Sequence, residues 1–146
     1  MITKTNYRVT AITIIIHTLI LGIGFNVLGV VFEFPDILRQ SADYRLTLFI
    51  ENSSIIIPVY YLLALTGFTQ IIFCVLLHHL FDNNKSSLMI LATIFGILTG
   101  IFQGLGFIRW SIVVPYFAQA MTSNVPMETI AFVEGMLNRY AGMAVG

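Results

Sequence analysis

Charge is scarce in this chain. Only 10% of its 146 residues are Asp, Glu, Lys or Arg, while 58% are apolar; a water-soluble domain carries about 25% charged residues. Mean hydropathy is +0.91, more apolar surface than a chain of this length can hide from water, so lipid is the solvent it suits. Lys plus Arg is 7 and Asp plus Glu is 7, which leaves no cationic face for nucleic acid or for a basic membrane-surface peptide. With one cysteine, Cys74, no internal disulfide and no thiol pair for metal or redox chemistry can form, and its place in an apolar run reads as packing. The signatures H-E-x-x-H, G-x-S-x-G, the phosphate loop and the dinucleotide fingerprint are all missing. No catalytic residue is therefore nominated, and no cofactor or metal site is expected. The neighbours His78 and His79 do not change this, because adjacent helical side chains point roughly 100° apart.

What is present is a series of long apolar runs. Residues 9–31, preceded by Lys4 and Arg8, form the first. It exceeds the roughly 7–15 residues of a signal-peptide core and meets Phe32-Glu33-Phe34-Pro35 in place of a small-residue cleavage site, so it reads as a retained span. Residues 32–53 carry Glu33, Asp36, Arg39, Asp43, Arg45 and Glu51 and read as a partly helical connector against the headgroups. Residues 54–81 form a second span with Pro58 in its first turn, and the polar turn Asp82-Asn83-Asn84-Lys85 makes an antiparallel hairpin with the next run. That run, 88–121, would reach ~50 Å against a bilayer core of ~30 Å. The interruptions at Arg109-Trp110 and Pro115 divide it into a span over 88–108 and a segment 109–121 that bends away. Ser123 to Pro126 has the grammar of a helix start, and a further helix over about 125–146 follows. The expected fold is a single all-α transmembrane bundle over 1–146, three spans plus a C-terminal helix that begins a fourth. It is placed in the cell membrane, with the N-terminus cytoplasmic on the strength of Lys4 and Arg8.

Gly96, Gly100 and Gly104 give two overlapping G-x-x-x-G patterns on one helix face, which reads as helix packing and alternatively as a groove for a lipid tail. Gly22 and Gly29 are the candidate complementary seam on the first span. His17, Asn26, Gln70 and Gln103 lie at membrane depth, where such side chains bond across helices. Arg109 is the costliest residue to bury. It either snorkels to the interface beside Trp110, forms a buried ion pair, or holds an anion. On the last helix Glu134 shares an apolar face with Ile130, Leu137 and Ala141, and Asn138 lies one turn on. This makes Glu134 the carboxylate expected inside and an Arg109–Glu134 pair the expected contact. Arg109, Trp110, Glu134 and Asn138 are the candidate ligand-binding residues.

The segments FEFPDILR (32–39), GFIRWSIVVPYFAQ (106–119) and LNRYAGMAVG (137–146) resemble a family of uncharacterised bacterial multi-span membrane proteins known as a domain of unknown function. The resemblance covers nearly the whole chain and implies a helical bundle with more spans than are present here, so the chain is expected to be truncated relative to that family. It implies no reaction, cofactor or substrate. It does place Arg109, Trp110, Pro115, Asn138, Tyr140 and Gly142 in shared motifs. Three functions compete: a non-enzymatic structural, assembly or regulatory membrane component; a small-molecule or lipid binder or carrier with Arg109 as an anion contact; and an intramembrane enzyme using Glu134 with His17 or a downstream histidine. Membrane lipids, further copies of the chain or other membrane subunits are the expected partners.

Overall fold

A computed structural model describes residues 4–81, 86–123 and 125–145, with side chains described as far as Tyr140. Among the described residues the chain is helical without strands. The helices are α1 (Lys4–Val31), α2 (Ala42–Phe81), α3 (Ser87–Ile112), α4 (Val114–Met121) and α5 (Met127–Val145), with a short 3-10 turn at Asp36–Arg39. Three helical stretches are long and apolar enough to cross a membrane: α1, α2, and α3 with α4 over Ser87–Met121. The 28 residues of α1 reach about 42 Å, more than the ~30 Å that a hydrocarbon core requires. The polar turn at 82–85 lies outside the described residues.

α2 is the central element. It runs antiparallel to α1, with His17 beside Thr69 and Gly24 against Leu63. It is also antiparallel to α3, where Gly67 meets Gly100 and Cys74 meets Gly96. At the α2–α3 crossing the backbones touch. A Cβ on Gly67 would collide with the Gly100 carbonyl oxygen, and one on Gly100 would lie 2.7 Å from the Gly67 oxygen. Only glycine permits this approach, which supplies dispersion contact where lipid provides no hydrophobic drive. The seam opposite Gly96, Gly100 and Gly104 is thus Gly67, Ala64 and Cys74 of α2. Gly22 and Gly29 are not part of it: at Gly22 an added Cβ meets nothing within 4 Å, and at Gly29 it meets only the Phe34 carbonyl oxygen.

The tightly buried core sits at one end of the bundle, where α1 ends, α2 begins and α3 ends. Leu28, Phe32, Ile37, Leu46, Phe49, Tyr60, Leu63 and Trp110 form it. Phe32 is edge-on to Tyr60 and to Trp110, and Tyr60 stacks on Trp110 at 5.1 Å with an 11° tilt. The connector therefore differs from the expected surface segment. Helix begins at Ala42, and Ile37, Leu46 and Phe49 plug the mouth of the bundle. The stripe Ala42, Arg45, Leu46, Phe49, at helical spacing, is what turns inward. Asn52, at φ −115° and ψ 15°, kinks α2 between this charged segment and the apolar span.

The third long helix runs past residue 108. Helix α3 continues through Ile112 and breaks at Val113, because Pro115 has no amide to donate to the Ser111 carbonyl and its ring crowds that turn. Arg109 and Trp110 consequently lie inside a regular helix. The last helix, Met127–Val145, follows Pro126.

Candidate functional site

The charged centre of the molecule is built by the first turn of α2 and the middle of α5. Arg45 and Glu134 are 6% and 2% exposed. The Arg45 Nε donates to Glu134 Oε1 and its Nη2 to Oε2, both at 2.8 Å, a two-bond fork. Nη1 donates to the carbonyl oxygens of Ile37, Leu38 and Gln40 at 3.2–3.3 Å. Those carbonyls end the 3-10 turn, and that of Ile37 also accepts from the Gln40 amide at 3.2 Å. Asn138, one turn after Glu134, donates Nδ2 to Oε1. Every face of this ion pair is satisfied inside the protein, the condition under which burying two charges is tolerable.

Glu134 therefore turns inward beside Asn138, but its cation is Arg45, not Arg109. The reason is geometric. The α2 kink and the 3-10 turn carry Arg45 under α5, and a cradle of three carbonyls fixes it there. Sequence reasoning placed Arg45 among the headgroups. The signal that could have found it is its place in the Ala42, Arg45, Leu46, Phe49 stripe.

Arg109 and Trp110 sit beside this centre. The Arg109 Cζ is 5.6 Å from the Trp110 ring centroid, a cation–π contact. Among the described residues the guanidinium has no hydrogen-bond or ion-pair partner, and its Nε is buried. The hydroxyl of Tyr60, whose ring stacks on the same indole, is likewise buried and unpartnered.

The polar side chains at membrane depth bond between helices. Gln103 of α3 donates to the Thr66 hydroxyl of α2 at 2.6 Å. His17 Nδ1 of α1 lies 2.8 Å from the Thr69 hydroxyl of α2, which itself donates to the Thr66 carbonyl, so Nδ1 carries the hydrogen. Ser111 of α3 donates to the Ile57 carbonyl at 2.9 Å. His78 Nδ1 lies 2.9 Å from the Thr93 hydroxyl. Gln70 and Asn26 bond instead within their own helices, to Cys74 Sγ and the Gly22 carbonyl. Beside the glycine seam, between α2 and α3, lies an apolar groove of about 390 Å³, lined by Gly67, Phe68, Ile71, Gly100, Gly104 and Leu105 among others.

No curated protein and no solved structure gives a significant match to the chain. The protein family described as Domain of unknown function (DUF4386) matches residues 7–140, from the first turn of α1 to the last of the described side chains on α5. With a match of that extent, the chain belongs to this family of unknown function.

Proposed function

We propose that the protein is a non-enzymatic structural, assembly or regulatory component of a membrane, acting through contacts between helices. One observation carries this reading: the candidate acid Glu134 and the candidate base His17 are both engaged in holding helices together. Glu134, the buried acid among the described residues, has both carboxylate oxygens bound by Arg45 and one of them also by Asn138. A general acid or base must hold its proton where a substrate can reach it, and Glu134 faces an arginine instead. His17, the other candidate for such chemistry, bonds to α2 through Thr69. Lys4 and Arg8, flanking the first span, support a cytoplasmic N-terminus in this arrangement.

Partners are sought at the apolar faces left exposed. Single cysteines at Phe68, Leu105 and Phe132, which are 66%, 59% and 72% exposed, placed in a Cys74→Ser background, report on them by cross-linking in native membranes. Phe68 and Leu105 line one groove and Phe132 lies on α5, so the expected result is a discrete adduct, with a second copy or another membrane subunit, from the groove pair or from α5 and not from both. Uniformly monomeric protein at all three positions contradicts the reading.

A further inference from the structure

Among the described residues, two buried hydrogen-bond donors have no acceptor, and both lie against one indole. Tyr60 is 1% exposed, its ring stacked 5.1 Å from that of Trp110, and its hydroxyl has no partner. Arg109 sets its guanidinium 5.6 Å from the same ring, with Nε buried and unpartnered. Buried polar groups almost always find partners; Arg109 is half-buried, and its Nε and the Tyr60 hydroxyl are the buried atoms without one. The nearby charges do not supply one. Arg45 and Glu134 form a closed pair that is neutral as a whole, so Glu134 is not free to bond Arg109.

We propose that Tyr60 and Arg109 form a binding site for an oxyanion, a phosphate or carboxylate group, with Trp110 as its wall. The guanidinium fork suits two oxygens of such a group, and a phenol donates a third bond. The indole holds the guanidinium by its face and leaves the N–H edges free. An oxyanion supplies both what the site lacks in charge and what it lacks in acceptors. The anion comes either on a lipid headgroup or free from solution, and a neutral ligand would leave Arg109 uncompensated. This goes beyond the packing role, which a bundle without any ligand would fulfil equally well.

Trp110 is the only tryptophan, so its emission reads this site alone. The full chain in neutral detergent is titrated with sodium phosphate against sodium chloride of matched ionic strength. In parallel, it is placed in phosphatidylcholine nanodiscs with rising phosphatidylglycerol. The expected result is a saturable change in emission in at least one arm, with the midpoint weakened about tenfold or more in Arg109→Gln and in Tyr60→Phe, as befits the loss of a bond to a charged group. Saturation by phosphate itself assigns a free anion, and saturation by phosphatidylglycerol alone assigns a headgroup. Far-UV circular dichroism verifies that each variant keeps its helices, and Tyr60→Phe keeps the stacked ring. A wild-type protein that is helical yet shows no saturable change in either arm overturns the proposal. So do midpoints that the two variants leave unmoved.

Discussion

Arg45 and Glu134 stand 89 residues apart in sequence and meet in a two-bond fork, 2.8 Å on each side, at the packed end of a membrane bundle. The pair joins the charged start of α2 to the last helix, and the carbonyls of Ile37, Leu38 and Gln40 hold the same arginine to the connector. One side chain thus fastens three segments: the connector, α2 and α5.

The cradle makes the pair directional. Exchanging the charges, Arg45→Glu with Glu134→Arg, would set a carboxylate against three carbonyl oxygens. The swap is expected to be at least as unstable as either single change, whereas a free-standing ion pair would recover. Thermal unfolding in detergent, followed by circular dichroism, checks the order of the three variants.

Gly67 and Gly100 are expected to tolerate nothing larger. An added side chain at Gly67 meets the backbone of Gly100 and Gly104, which cannot swing aside. Gly67→Val or Gly100→Val should cost about 1–3 kcal/mol or more by overpacking. Gly22→Ala, by contrast, enters open space and should be neutral or stabilising by up to about 1 kcal/mol through helix propensity. Resistance to unfolding by sodium dodecyl sulfate in mixed micelles ranks the three.

The Gln103–Thr66 bond between α3 and α2 is expected to couple by about 0.6–2 kcal/mol. A double-mutant cycle with Gln103→Leu and Thr66→Val measures it. Strict additivity would mean that the two side chains do not hold the helices together.

Arg109 should behave in the opposite way to Arg45. Among the described residues it has no hydrogen-bond or ion-pair partner to lose, only the face of Trp110, and an arginine in the apolar core of a membrane costs up to about 2.5–3.5 kcal/mol. Arg109→Leu is therefore expected to leave thermal stability unchanged or raise it. Arg45→Leu, which strands Glu134, lowers it.

The helices were legible in the sequence because lipid imposes a simple demand: long runs without charge. The glycine pattern of α3 was legible too, since only small residues let backbones meet. Its partner was harder to read. Gly22 and Gly29 show a seven-residue spacing, whereas the true opposite face combines one glycine, Gly67, with Ala64 and Cys74, and carries no glycine repeat. At the site, Glu134 and Asn138 could be placed because both lie on one helix face. Arg45 could not be placed by charge alone. It belongs to a segment dense in acids and bases, and only the fold shows that the kink at Asn52 and the 3-10 turn bring it under α5. With Arg45 out of view, Arg109 stood as the natural partner for Glu134. Its actual isolation follows from a competing cation that is held in place by three backbone carbonyls.

The most direct test of the account is a double-mutant cycle on Arg45 and Glu134 with apolar replacements, Arg45→Met and Glu134→Met, read as unfolding free energy in bilayer-mimicking micelles. Each single change leaves one charge buried and alone, and should cost about 3–5 kcal/mol. The double change removes both charges and is expected to recover most of that loss. If the two single losses simply add in the double variant, or if Glu134→Met alone costs nothing, the pair does not fasten the bundle, and Glu134 is free for some other chemistry.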